Sequence, residues 1–119
     1  MPTGGPMPTF ERGTIVRVPF PYTNRPVQQR RPALVVSAPH FDESAHLLWV
    51  VMITSAENRP WPGDVSLVQV FAECGLPAPS VIRPAKIATI EANHAEPIGM
   101  VPVSVLSQVD DILRHTLAL

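Results

Sequence analysis

The sequence predicts a mainly β fold, a small β-barrel of short, strongly bent antiparallel strands with one amphipathic helix added at the C-terminus. Three observations lead to this prediction. Fifteen prolines in 119 residues divide the chain into short segments and exclude long helices before its end. Several segments alternate apolar and polar residues or are rich in β-branched residues, and both patterns are typical of strands. Apolar residues recur at helical spacing only from Ser104 onward.

Six segments ahead of the helix are predicted to form strands. The first alternates, as a strand with one buried face does. The second and third are nearly continuous apolar runs, which indicates central strands buried on both faces. The fifth is predicted to form one strand, or two that divide near Pro84. In chain order the segments comprise residues 13–20, 31–38, 47–55, 64–70, 80–91 and 96–101.

The helix is predicted to begin at Ser104, a residue type that caps helix N-termini well. Arg114 and His115 lie near its C-terminus, where positive charge interacts favourably with the helix dipole. Asp110 and Asp111 are expected on the exposed face. The apolar face comprises Leu106, Val109, Ile112, Leu113 and Leu117.

The length suits one folded domain, predicted over residues 10–119, behind a flexible tail of residues 1–9. The single cysteine, Cys74, excludes an internal disulfide or a thiolate metal site. The longest apolar run, residues 47–53, is too short to span a bilayer, and the N-terminus lacks the pattern of a signal peptide. We therefore expect a cytoplasmic protein that is not associated with a membrane.

Positive charge is concentrated in one segment of a chain whose net charge is −1. Five arginines and no acidic residue lie from Arg12 to Arg31, so the rest of the chain is acidic. The net charge argues against binding to nucleic acid or membrane through net charge alone. An ordinary exposed loop would show the same local pattern, and charge by itself favours that interpretation.

Common catalytic motifs are absent from the sequence. It contains no nucleophile elbow, no Gly-rich phosphate loop and no zinc-protease motif. The four histidines are scattered, and the six-residue separation of His40 and His46 is a poor metal spacing. The candidates that remain are arginines and hydroxyl groups.

Two arginines, Arg31 and Arg83, each precede a proline at or within an apolar segment. A proline keeps the residue before it extended, which sets the direction of that side chain. A guanidinium aimed in this way suits a phosphate, which it can bind through two parallel hydrogen bonds. Thr54, at the end of the neighbouring apolar segment, offers a hydroxyl. A structural salt bridge of Arg31 and a strand cap by Thr54 explain the same residues equally well.

These segments together resemble the PemK/MazF family of toxin endoribonucleases from type II toxin–antitoxin pairs. The resemblance rests on GTIVRVPFPYTN (13–24), RRPALVVS (30–37), VVMITSA (50–56), WPGDV (61–65) and PSVIRPAKIATIE (79–91), and it continues through IG (98–99) into the helix. It implies an SH3-like barrel and a homodimer. It also implies sequence-specific cleavage of single-stranded RNA without a metal or other cofactor, and neutralisation by a cognate antitoxin.

The resemblance also assigns residues. The family's catalytic arginine and threonine fall on Arg31 and Thr54, with Arg31 turned inward at the edge of an RNA groove. The loop of residues 21–30 is expected to cover that groove as a flap. Where some relatives carry an acidic residue, this chain has Ala85. The RNA-binding positions implied are Tyr22, Asn24, Arg25, Arg30, Arg83 and Lys86.

The implied reaction is attack by the RNA's own 2′-hydroxyl, which leaves a 2′,3′-cyclic phosphate and a 5′-hydroxyl. Two alternatives stay open at this point. The same barrel also occurs in a toxin that poisons DNA gyrase by protein contact, so the fold alone does not determine the function. The chain could also be a decayed toxin that only binds RNA or antitoxin. Trp61 is either a stacking platform for an unpaired base or, as the WPGD turn favours, a buried residue.

Overall fold

The computed structural model describes residues 10–19, 29–39 and 46–119. These residues form one six-stranded antiparallel sheet, curved as a half-barrel, in the order β4-β5-β3-β2-β1-β6, followed by one α-helix. The prediction of a mainly β fold with a C-terminal helix is confirmed. The elements are β1 (Thr14–Pro19), β2 (Arg30–Val35), β3 (Leu47–Ser55), β4 (Val65–Ser66), β5 (Ser80–Glu91), a 3-10 turn (Ala92–His94), β6 (Glu96–Met100) and α1 (Val103–Thr116).

The two central strands, β2 and β3, are buried on both faces over residues 33–35 and 50–53, as predicted. Burial on both sides explains why they are continuous apolar runs, since each face packs against its own cluster of side chains. A fully buried side chain of this size contributes about 1.5–3 kcal/mol to folding. One cluster includes Ile15, Leu34, Val51, Ile53 and Ile82 together with α1, and the other includes Val16, Val18, Ala33, Val50 and Met52.

Strand β5 is continuous but irregular at Pro84. Val51 of β3 pairs with Ile87, whereas the next residue, Met52, pairs with Arg83. The pairing therefore skips residues 84–86, where the proline has no N–H for the ladder. The segment is one strand with a bulge, so of the two alternatives the unbroken strand is confirmed.

Two local predictions are wrong. The strand expected over residues 64–70 covers only Val65–Ser66, because Leu67 and Val70 reach the core from turns instead. The helix begins at Val103 with Pro102 as its N-cap residue, so Ser104 lies inside the first turn and makes no capping hydrogen bond. A proline at this boundary costs no backbone hydrogen bond, because the first N–H groups of a helix have no intrahelical partner.

Helix α1 packs against the sheet through Val105 and Val109. Asp110 was expected on the exposed face, but it is partly buried and forms an ion pair with Arg12. Strand β6 lies against the turn at Cys74, where a Cβ on Gly99 would fall 1.7 Å from the Cys74 carbonyl oxygen. Only glycine allows this close approach.

Candidate nucleic-acid interface

Arg31 and Thr54 lie at the same end of the sheet on neighbouring strands. Strand β2 pairs with β3 so that Ala33 is opposite Met52, and each step back along β2 is a step forward along β3. The β2–β3 pairing ends at Ala33 and Met52, and Arg31 and Thr54 each lie two residues beyond that end. Residues two apart along a strand share a face, so Arg31 and Thr54 lie on the face of Ala33 and Met52.

The neighbouring strands continue the same row. Arg31 is paired with Val18 of β1, and Thr54 is paired with Val81 of β5. Each of the two residues is therefore paired, on its other side, with a β-branched apolar residue.

Arg31 and Arg30 are both exposed at the start of β2. Arg31 is exposed because the strand has only just begun there and its burial starts beyond Pro32. The expectation that it is turned inward, towards an RNA groove, stays a prediction. Among the described residues, the Arg31 guanidinium makes one hydrogen bond, in which Nη2 donates to Oε1 of Gln29 at 3.0 Å.

Arg30 makes different contacts from Arg31. Its Nη2 donates to the backbone carbonyls of Arg17 at 3.1 Å and His94 at 3.2 Å. Arg30 therefore ties β2 to β1 and to the turn before β6, while its charge stays exposed. Its predicted contact with RNA stays a prediction.

Thr54 is half-buried, and its hydroxyl has a partner that sequence reasoning missed. Nδ2 of Asn58 donates to Oγ1 of Thr54 at 2.6 Å. The two residues are joined by a tight turn, in which the N–H of Asn58 donates to the carbonyl of Ser55 at 3.1 Å. The only signal in the sequence is a polar residue four positions after the threonine, and it has meaning only once this turn is known.

Arg83 is 5% exposed and is held by a network of buried contacts. Nε donates to Oδ1 of Asp64 at 3.0 Å, Nη2 donates to Oδ2 at 2.9 Å, and Nη2 also donates to the carbonyl of Arg59 at 2.8 Å. Its Cζ lies 4.5 Å from the ring centre of Trp61. RNA binding by Arg83 stays a prediction, and it would require these contacts to break.

The Arg83 contacts also change the protonation of Asp64. Burial raises the pKa of this carboxyl, but the hydrogen bonds from Arg83 and from the Trp61 N–H outweigh burial and lower the pKa below its ordinary value of 3.8. The hydrogen bond to Asp64 correspondingly raises the pKa of Arg83. Both groups are therefore charged at neutral pH, and Asp64 is a poor proton acceptor.

Trp61 is 39% exposed, so the expectation that the WPGD turn buries it is wrong. The backbone N–H of Trp61 donates to Oδ2 of Asp64 at 2.9 Å. This hydrogen bond fixes the backbone of the turn and leaves the indole ring at the surface. Nζ of Lys86, from the β5 bulge, lies 4.9 Å from the ring centre. Lys86 and Arg83 therefore both lie over the Trp61 ring. RNA binding by Lys86 stays a prediction.

The arginine-rich segment is less positive in the fold than in the sequence. Arg12 forms an ion pair with Asp110 of α1, and Arg17 lies 3.6 Å from Glu96 of β6. The expectation of a positive segment without compensating acids is therefore wrong for these two arginines. The predicted RNA-binding residues Tyr22, Asn24 and Arg25, and most of the predicted flap, lie outside the described residues.

In the part of the chain that the structure describes, no group of three or more His, Cys, Asp or Glu side chains could hold a metal ion. Within that same part, no helix is long and apolar enough to cross a membrane. Cys74 is buried, and burial together with the nearby Glu73 raises the pKa of its thiol. A thiol in this environment is a weak nucleophile.

The fold is shared with solved toxin structures. MazF from Deinococcus radiodurans matches with a TM-score of 0.74 at 23% identity, over 93% of this chain and 98% of that one. A MazE–MazF structure from the same organism matches with a TM-score of 0.74 at 24% identity, over the same shares of the two chains. An endoribonuclease in complex with its cognate antitoxin, from a mycobacterial species, matches with a TM-score of 0.70 at 18% identity, over 95% and 97%. These likenesses place the barrel in the MazF-like fold class.

The family follows from the sequence comparison. The model of the PemK-like, MazF-like toxins of type II toxin–antitoxin systems matches residues 11–117. The chain therefore belongs to this family, and the resemblance noted from its sequence is confirmed. No curated protein sequence matches the chain.

Proposed function

We propose that the chain is an endoribonuclease toxin that cleaves single-stranded RNA at specific short sequences without a metal ion. The observation that carries the proposal is that Arg31 and Thr54 lie just beyond the same end of the β2–β3 pairing, on one face of neighbouring strands. An exposed guanidinium on the same face as a hydroxyl suits a phosphodiester, because both groups can donate hydrogen bonds to its oxygens. Family membership supports the same reaction, since a related structure is described as an endoribonuclease.

In the proposed reaction, the 2′-oxygen of one nucleotide attacks the adjacent phosphorus. A new P–O2′ bond forms as the P–O5′ bond breaks, which leaves a 2′,3′-cyclic phosphate and a 5′-hydroxyl. The 2′-hydroxyl loses its proton to a base, and the departing 5′-oxygen takes up a proton. A guanidinium holds its proton firmly, so Arg31 stays positively charged throughout the reaction. It therefore stabilises the negative charge that develops on the phosphoryl oxygens. Thr54 donates a hydrogen bond to a non-bridging oxygen.

One acidic residue and one motif position are excluded as the base. Asp64 has both carboxylate oxygens bound to Arg83 and a lowered pKa. The position that is acidic in some relatives is Ala85, an exposed residue of the β5 bulge. The proposal therefore assigns proton abstraction to neither.

The proposal includes two protein partners. We propose that the chain forms a homodimer and that a cognate antitoxin neutralises it, as a related endoribonuclease has been crystallised with its antitoxin. An acidic, initially disordered antitoxin segment would bind the exposed Arg30 and Arg31 in place of RNA phosphates. RNA and antitoxin would then exclude one another, and binding of both would weaken with salt.

The direct experiment is incubation of the purified chain with a long single-stranded RNA in the presence of a chelator. We expect a small set of specific fragments whose 5′ ends can be phosphorylated without prior dephosphorylation and whose 3′ ends carry a cyclic phosphate by mass spectrometry. A mobility shift without cutting would identify a toxin that only binds RNA. An unchanged RNA with no shift would favour action through protein contact.

A further inference from the structure

The side-chain amide of Asn58 donates a hydrogen bond to the hydroxyl of Thr54, and this contact has a function in the proposed reaction. We propose that Asn58 is a positioning residue, which orients the Thr54 hydroxyl so that its hydrogen points to the scissile phosphate. This inference rests on the proposed function and deepens it at the same site. It assigns a role to a residue that neither the motif nor the fold singles out.

The turn between the two residues determines the geometry. The N–H of Asn58 donates to the carbonyl of Ser55, and the N–H of Glu57 donates to Oγ of Ser55, each at 3.1 Å. These two bonds hold residues 55–58 in a compact turn at the end of β3. The Asn58 amide is thereby held one turn away from Thr54, and Nδ2 reaches Oγ1 at 2.6 Å.

The chemistry of the hydroxyl gives this contact its consequence. A threonine hydroxyl has one hydrogen to donate and two lone pairs that accept. When the Asn58 amide donates to one lone pair, the hydroxyl hydrogen must point away from Asn58. A phosphate oxygen can only accept, so Thr54 can bind it only by donating that hydrogen. The donated amide bond also polarises the hydroxyl and strengthens its own donation.

Asn58→Asp reverses this arrangement with almost no change in size. A carboxylate accepts rather than donates, so it would take the Thr54 hydrogen and turn the lone pairs towards the phosphate. Asn58→Ala removes the amide and leaves the hydroxyl free to rotate. We expect kcat to fall about 5-fold in Asn58→Ala, the effect of one lost hydrogen bond, and about 10-fold or more in Asn58→Asp. KM should change by less than about 2-fold in Asn58→Ala, since the contact orients a group rather than adding one to the substrate.

A double-mutant cycle with Thr54→Val separates orientation from general structure. In the Thr54→Val background the hydroxyl is absent, so both Asn58 changes should lower kcat by less than about 2-fold. Gln108→Glu on the exposed face of α1 is the matched control, since it makes the same amide-to-carboxylate change away from the site. It should cleave at the wild-type rate, and all variants should unfold at wild-type temperature.

The outcomes distinguish this inference from the function on which it rests. Wild-type cleavage with full kcat in Asn58→Asp would overturn the positioning role alone. Undiminished losses at Asn58 in the Thr54→Val background would overturn it too, since the effect would not pass through the hydroxyl. Failure of the wild-type chain to cut any RNA would overturn the proposed function and this inference with it.

Discussion

Two arginines with the same sequence context occupy opposite environments. Arg31 and Arg83 each precede a proline and each belongs to a strand that runs into the core. Arg83 is buried, bound at both carboxylate oxygens of Asp64 and packed against Trp61. Arg31 is exposed, and its one hydrogen bond among the described residues is to a side chain two positions away.

This difference predicts which of the two arginines binds a ligand. A guanidinium whose donors are used inside the protein stabilises the fold, because removing it leaves a buried carboxylate unpaired. Removing a guanidinium whose donors face solvent changes the stability of the fold little. Such a group can bind a phosphate. We therefore expect substitutions of Arg83 to affect stability and substitutions of Arg31 to affect cleavage.

Arg83→Ala should have the largest effect. Loss of one partner of a buried ion pair costs about 3–5 kcal/mol, since Asp64 would keep its charge without the two hydrogen bonds from Arg83. Denaturant unfolding followed by circular dichroism measures the change. Arg31→Ala is the matched control and should change the unfolding free energy by less than about 0.5 kcal/mol. Equal stabilities of the two variants would remove the distinction between the two arginines.

Arg31→Ala should lower the cleavage rate about 10²-fold or more in a protein that stays folded, because a charge-assisted contact to the transition state is lost. Arg31→Lys should fail too, since a point charge does not reproduce the bidentate fork. Single-turnover cleavage of a short RNA measures both rates. Near-normal cutting by a folded Arg31→Ala protein would show that Arg31 is not catalytic.

Thr54→Val should lower turnover about 10-fold. The substitution replaces the hydroxyl by a methyl group of similar size, so the hydrogen bond donated to a charged phosphate oxygen is lost. RNA affinity, measured with a non-cleavable 2′-deoxy substrate, should change much less. The reverse pattern, with weaker binding and normal turnover, would mean that Thr54 only holds the substrate in place.

Acid should destabilise the fold through the Asp64–Arg83 pair. The pKa of Asp64 is lower in the folded chain than in the unfolded one, so folding favours the ionised carboxyl. The resulting stabilisation is fully present above the ordinary value of 3.8 and is lost as the pH falls below it towards the folded pKa. Asp64→Asn should be less stable at neutral pH and should lose less stability between pH 5 and about pH 3. A parallel pH profile for the two proteins would contradict this assignment.

Charge reversal at Arg25 and Arg30 should have the smallest effect on chemistry and a measurable effect on binding. Each lost phosphate contact should lower the salt dependence of single-stranded RNA binding by about 0.7 in the log–log slope. Antitoxin binding should weaken in the same variants. A competition titration with non-cleavable RNA completes the test, and a ternary complex at saturation would show that the antitoxin binds elsewhere.

Sequence patterns predicted the elements with buried faces best. The bounds of β3, Leu47–Ser55, match the predicted segment because a continuous apolar run between polar loops has one stable placement at the centre of a sheet. The pattern failed over residues 64–70, because Leu67 reaches the core equally well from a turn. It also failed at Ser104, since the preceding proline sets the helix boundary.

The candidate site was predictable only in part. Arg31 and Thr54 were identified by residue type and family motif, and both lie beyond the same end of the β2–β3 pairing. Asn58 was not, because its proposed role depends on a hydrogen-bonded turn. Ala85 shows the opposite limit, since the missing acid is visible in the sequence without the fold.

The sequence by itself determined the mainly β framework, the family and the arginines and hydroxyl from which the site is built. These follow from local pattern and residue type, which the chain carries in any conformation. Only the tertiary structure decided which arginines remain available. Arg12 meets Asp110 across 98 residues of sequence, and Arg83 meets Asp64 across 19. Ion pairs and hydrogen bonds depend on distance in space, so the pairing of each arginine is decided only when the chain has folded.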